Sequence, residues 1–171
     1  VRALTAFRDP VTGAPRLVSG SEDGTVRVWN PAAGGAAIEA EPEGHSERVT
    51  DLVTFVDPAT GALRVATGSR DETIRVWDAE TGGALLVIDV GSIVLALAFF
   101  VDPATGAPRL ACGTEEVGKG GYIVGGKVLV FDPVVGGEAL LGFGAPVSDE
   151  WANLSPAGDL VEAAEGVDQH V

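Results

Sequence analysis

From Val65 to Asp78 the chain reads VATGSRDETIRVWD, and its hydrophobic positions follow a short period. Val65 to Thr67 is apolar and β-branched, and Thr73 to Trp77 alternates polar and apolar residues with a period of two. That period sends alternate side chains to opposite faces of a strand. Gly68 through Glu72 supply turn chemistry between the two runs. The stretch therefore predicts strand, tight turn, strand. The same pattern stands upstream as LVSGSEDGTVRVWN from Leu17 to Asn30. A worn copy lies downstream, LACGTE from Leu110 and GGKVLVFD from Gly125. Trp29 recurs as Trp77 and Asp9 as Asp57, each 48 residues on, and Asp57 recurs as Asp102 after 45. Self-similarity at such a period marks a repeat architecture.

Before each of these units stand another strand and a recurring turn: FRDPVTGAPR from Phe7, FVDPATGALR from Phe55 and FVDPATGAPR from Phe100. Pro directly after Asp, with Gly three residues beyond, predicts a hairpin loop rather than a helix. Arg16, Arg64 and Arg109 are expected at the loop exits, solvated. After each Trp or Phe comes a second Gly-rich turn, then a fourth strand near 36–40, 84–90 and 138–143. Each repeat thus holds four short antiparallel strands, a to d, and no segment carries a helical period. One twisted sheet cannot bury both its faces alone. A four-stranded unit repeating at about 40–50 residues therefore predicts an all-β propeller built from blades.

Gly44-His45, Thr67, Asp71 and Trp77-Asp78 resemble the signature of the WD-repeat β-propeller family. The DPxTGxxR loops are also similar to those of long WD-repeat arrays in some bacterial proteins. The resemblance implies blade one at 1–43, blade two at 44–89, blade three at 90–143 and a half blade at 144–171. That is about three and a half four-stranded antiparallel blades in a ring that is not closed. It also implies that His45, Thr67, Asp71 and Trp77 form a structural tetrad, partly kept in blade one as Ser19, Asp23 and Trp29. Blade three departs from the pattern. Cys112 stands for Thr67, Gly125 for Asp71 and Phe131 for Trp77, and no Gly-His precedes Val94.

Hydroxyl, imidazole and carboxylate together look like a nucleophilic triad, but a buried indole and imidazole need partners, so the tetrad reads as a brace. Cys112 reads as a small buried residue, and His170 as exposed in a polar tail. Relative to blade two, Glu116 to Val124 are nine extra residues between strands b and c. Gly118-Lys119-Gly120-Gly121 lacks phosphate-loop spacing. The insertion instead predicts a β-hairpin carrying Tyr122 and Ile123, or a protrusion that contacts a partner. In the family, the face with the b–c turns and d–a loops binds partners. The candidates there are Glu22, Glu47, Arg48, Arg70, Glu72, Lys119 and Tyr122. A propeller hydrolase would need carboxylates on several a strands, and only Asp51 and Asp149 stand near their starts.

Charge narrows the choice of partner. A net charge of −14 opposes nucleic acid, whose phosphates need Lys and Arg. After Lys127 the sequence carries acidic residues and no basic ones. No apolar run is long enough to span a bilayer. One cysteine excludes an internal disulfide and fits a reducing compartment, here the cytoplasm. The chain has no Met and starts inside a repeat, which predicts a piece of a longer protein or a non-ATG start. The expectation is a non-catalytic scaffold without cofactor, binding proteins or peptides, whose parent chain supplies the missing blades. The sensory part of a bacterial signalling protein and a propeller hydrolase fragment are the alternatives.

Overall fold

The computed structural model describes residues 1–10, 12–33, 37–39, 44–118, 120–144, 153–154 and 160–161. Three four-stranded antiparallel units follow one another. The first comprises β1 (Ala3–Arg8), β2 (Pro15–Gly20), β3 (Val26–Trp29) and β4 (Ala37–Glu39), paired in chain order. The second comprises β5 (Val49–Val56), β6 (Leu63–Ser69), β7 (Thr73–Asp78) and β8 (Ala84–Asp89), also in order. The third comprises β9 (Ile93–Val101), β10 (Pro108–Val117), β12 (Lys127–Phe131) and β13 (Leu141–Gly144), with the short β11 (Ile123–Gly125) added on β10. A separate pair, β14 (Asn153–Leu154) and β15 (Leu160–Val161), follows. These are propeller blades, and their sheets do not join into a closed ring. Among the described residues the one helical piece is a 3-10 turn at Pro31–Ala33.

The register makes the repeats superimposable. Leu52 faces Thr67 as Leu4 faces Ser19 and Leu97 faces Cys112. Val65 faces Trp77 as Leu17 faces Trp29 and Leu110 faces Phe131. Blade two therefore buries both faces. Leu52, Val65 and Trp77 join Val18 and Val28 of blade one, while Ala66, Ile74, Val76 and Ile88 join Leu110, Cys112 and Phe131 of blade three.

Blades meet by a valine set against a glycine. A Cβ on Gly20 would lie 2.4 Å from Cγ1 of Val49, and one on Gly68 would lie 2.4 Å from Cγ1 of Val94. Both valines are fully buried. Only a residue without a side chain admits the next blade so closely. Polar groups reinforce the second seam. Thr50 Oγ1 donates to the Val94 carbonyl at 2.6 Å, and the Leu97 amide donates to Asp51 at 2.7 Å.

Two expectations need correction. The fourth strand of blade three begins at Leu141, not near 138, because residues 136–139 follow the turn without joining the ladder and the Leu140 amide is the first to reach β12, at 2.7 Å from the Val130 carbonyl. The loop arginines are not solvated. Arg64, with its side chain 14% exposed, bridges buried Asp57 at 3.8 Å and Asp78 at 2.5 Å. Arg109 links Asp102 and Asp132 in the same way at 3.8 and 3.9 Å, and Arg16 pairs with Asp9 at 3.4 Å. Each guanidinium fastens its own a–b loop, and in blades two and three it reaches the c–d loop as well. Several donors in a fixed, planar fork let one guanidinium reach two carboxylates on different loops.

Candidate functional site

At the b–c end of blade two, β6 supplies Thr67, β7 supplies Trp77 and the turn between them supplies Asp71. His45 comes from the loop that leads into β5. The indole Nε1–H of Trp77 donates to Thr67 Oγ1 at 2.8 Å. That hydroxyl lies 2.7 Å from His45 Nε2, and His45 Nδ1 lies 2.8 Å from Asp71 Oδ2. One proton assignment satisfies every group. Thr67 donates to Nε2, and Nδ1–H donates to the carboxylate. The imidazole is therefore neutral and the Asp71 carboxylate charged.

The electrostatics agree with that assignment. Burial pushes the His45 imidazole below its ordinary pKa, against the opposing pull of the Asp71 carboxylate. Burial acts to raise the Asp71 carboxyl, yet hydrogen bonds from Thr73 and the contact with His45 hold it below its usual value. Thr73 gives Asp71 both its amide at 3.0 Å and its hydroxyl at 2.7 Å, and the Ser46 amide adds a bond at 3.1 Å. The carboxylate ties the turn to the lead-in loop. Every acceptor and donor here is used within the blade, which suits a brace rather than a reacting centre.

The other blades keep fragments of this arrangement. In blade one Trp29 donates to Ser19 Oγ at 2.8 Å. Asp23 is exposed and accepts from the Thr25 hydroxyl and amide, which hold its carboxyl down to about 2. In blade three Cys112 is buried, and burial raises its thiol to about 11, so it is an inert packing residue. Phe131 replaces the indole and needs no polar partner.

A family described as "WD40: WD domain, G-beta repeat" matches residues 1–30 and 38–78. These two stretches are WD repeats. Such repeats build all-β propellers that serve as scaffolds for proteins or peptides. Two solved structures are similar to this WD-repeat chain. One is the computationally designed Ika8 protein, with a TM-score of 0.57 and 26% identity over 82% of this chain and 35% of that one. The other is the computationally designed Ika4 protein, with a TM-score of 0.56 and 28% identity over 81% of this chain and 69% of that one. The WD-repeat chain thus spans about a third of the length of Ika8. No curated protein matches it.

The surface candidates of the WD repeats gather on the b–c and d–a face, in separate groups. Glu22 of blade one pairs with Arg2, and with Arg48 of the loop before blade two at 3.6 Å. Arg70 of blade two reaches Glu115 of blade three at 3.8 Å. The Glu22–Arg48 and Arg70–Glu115 pairs cross the seams between blades. Glu47 is exposed, and its carbonyl accepts from Ser69 Oγ at 3.2 Å. Glu72 is exposed in the left-handed region at φ 67°. Its counterpart in blade one is Gly24, where a Cβ would lie 2.1 Å from the His45 carbonyl oxygen. Glycine is required there because the His45 loop crosses the turn.

Tyr122 stands apart. β10 runs on to Val117 and pairs with β11 through Glu116↔Gly125 and Val117↔Ile123, so the insertion is a hairpin. Tyr122 is 77% exposed and Ile123 69% at its tip. Lys119, Asp149 and His170 lie outside the described residues. Among those described, no His, Cys, Asp and Glu are grouped to hold a metal, and no helix is long and apolar enough to cross a membrane.

Sequence reading missed the two-carboxylate arginine clasp and the interblade role of Asp51. The repeated D…R…D spacing of Asp57, Arg64 and Asp78 was the available signal for the first. Asp51 carried none, since its partner is the backbone of another blade.

Proposed function

We propose that the chain is a non-catalytic interaction scaffold, a segment of a larger WD-repeat propeller that docks partners with its b–c and d–a face. The hairpin of β10 and β11 carries the proposal. Val117, Tyr122 and Ile123 are apolar or aromatic and exposed; Val117 and Ile123 pair across the hairpin, and the Tyr122 carbonyl accepts from the Gly118 amide at 2.9 Å in the turn that joins its strands. An exposed aromatic on an ordered element is the type of anchor that dominates interface energy. Glu47, Arg48 and Glu72 form a charged rim on the same face, and the chain's net charge of −14 favours a basic partner.

Further blades from the parent protein close the ring in this reading. The outer face of blade three supports it, because it repeats the apolar pattern by which blade two receives its neighbour. A hydrolase site finds no support, since the Asp51 carboxylate is taken up by the backbone amides of Leu52 and Leu97. A reducing compartment such as the cytoplasm suits a chain whose cysteine is a buried thiol.

Pull-down with the parent protein, with and without residues 116–124, tests the reading. A short turn replacing the hairpin is expected to leave the circular-dichroism β-signal intact, because surface loops tolerate changes of length. Partner recovery should drop. Equal recovery from both forms would remove the hairpin from the function.

A further inference from the structure

The two seams of the propeller differ at the end that carries the a–b and c–d loops. Between blades two and three, Phe99 stacks on Phe55 with ring centroids 4.8 Å apart and an interplanar angle of 11°. Blade two has Thr54 at the register of Phe99, since Thr54 faces Val65 as Phe99 faces Leu110. Blade one has Phe7 at the register of Phe55, since Phe7 faces Arg16 as Phe55 faces Arg64. The seam between blades one and two therefore keeps the receiving ring and lacks the inserted one. No ring stacks on Phe7 among the described residues. A cleft of about 450 Å³ opens there, with Phe7 and Leu63 in its wall and Asp9, Arg16, Asp78 and Glu80 around them.

We propose that this cleft takes an aromatic side chain from a basic peptide. The Phe55–Phe99 stack shows what the seam accommodates when a ring is supplied from within. The volume falls in the range of ligand pockets, about 300–1,000 Å³. Three carboxylates and one guanidinium line it, and that guanidinium, on Arg16, is already paired with Asp9. Asp78 is paired with Arg64, while Glu80 is exposed and forms no ion pair among the described residues. Cationic residues flanking the aromatic side chain would meet this acidic lining. Stacking of rings in offset geometry adds to the area buried. The site lies at the opposite end of the strands from the b–c turns and the hairpin, so it is a second surface and stands independently of the first.

The 171-residue chain, isotope-labelled, is titrated by NMR with acetyl-Ala-Arg-Phe-Lys-Ala-amide. Shifts are expected at the amides of Thr12, Gly61 and Glu80. Replacing the probe's Phe by Ala, or its Arg and Lys by Glu, should weaken binding about tenfold or more. Thr54→Phe supplies the missing ring and should abolish binding, and Glu80→Arg should weaken it about threefold. Tyr122→Ala should leave it unchanged, which separates this site from the hairpin. No shifts at the cleft, equal affinity for the Ala probe, or a folded Thr54→Phe chain that binds as before would overturn the proposal. Should Thr54→Phe fail to fold, Glu80→Arg decides: full affinity in that variant overturns the site.

Discussion

Blades two and three share a strand plan and a register, yet one is braced and covered on both faces while the other lacks the brace and is covered by a described blade on one face. Blade two presents Phe55, Ala66, Gly68, Ile74, Val76 and Ile88 to its neighbour. Phe55, Ala66, Ile74, Val76 and Ile88 are at most 4% exposed. Blade three presents the same series on its own far face as Phe100, Ala111, Gly113, Val128, Val130 and Phe143. There Phe100 remains 41% and Val128 47% exposed, while Val130 at the centre of the face is buried at 5%. The apolar pattern is equal and the burial is not. Alternation makes a face that can be buried, and a neighbouring blade completes the burial along its length.

The sharpest way to break this comparison is at the glycine slot. Gly68→Ala should destabilise the chain by about 2–3 kcal/mol, because its Cβ would lie 2.4 Å from Val94 Cγ1 and core overpacking carries that cost. Gly113→Ala should be near neutral, since among the described residues its Cβ would find nothing closer than Ala96 Cβ at 3.8 Å. Urea unfolding of both variants measures the contrast. Equal losses would mean that the slot is not what distinguishes the two faces.

The tetrad comes next. Asp71→Ala should cost about 1–3 kcal/mol, because it orphans the His45 Nδ1–H and two backbone amides. Gly125→Ala, the matched position of blade three, should carry no such cost, for the network is absent there.

A smaller effect follows from pH. The His45 pKa is lowered in the folded chain, so below its ordinary value of 6.5 the unfolded state binds the proton that the folded state refuses. The stability contributed by the neutral ring is complete above pH 6.5 and is lost as pH falls below it. The slope from this one group is at most about 1.4 kcal/mol per pH unit. Unfolding measured from pH 7 to 5 should show it, and His45→Asn should flatten it. The Asp71 carboxyl, also lowered, adds its own loss only at more acid pH, below its ordinary 3.8.

The smallest effect should be a gain. Glu72 holds φ 67°, a conformation that costs a side-chain-bearing residue about 1 kcal/mol. Glu72→Gly should therefore stabilise by about 0.5 kcal/mol after glycine's greater unfolded-state entropy is set against it. The reverse change in blade one, Gly24→Ala, should destabilise, because there the His45 carbonyl fills the space. A thermal melt in which both variants moved the same way would show that the two turns are not equivalent.

Most of the blade was legible before any coordinates, because strands and turns are written in local periods. The run Thr73 to Trp77 states its own two faces, and Asp-Pro-Ala-Thr-Gly states its own loop. That loop closes as expected, with the Gly61 amide on the Asp57 carbonyl at 2.8 Å and Gly61 at φ 70°. The brace came from the family resemblance of Gly44-His45, Thr67, Asp71 and Trp77, joined to the demand of a buried indole and imidazole for polar partners. The arginines were misread because their second partner lies 14 to 23 residues away, on another loop: Arg64 with Asp78, Arg109 with Asp132.

What the sequence alone determined is each blade: four strands, their register, their loops and two apolar faces. The tertiary structure decided which faces are covered and which seams are filled. Gly68 and Gly113 occupy the same place in the repeat, as do Thr54 and Phe99, and nothing local distinguishes the slot that holds a valine from the one that meets none among the described residues. Backbone periodicity fixes where a side chain points within its own strand. What it meets there is set by packing between blades, where a single ring at position 99 closes one seam and a threonine at position 54 leaves the other open.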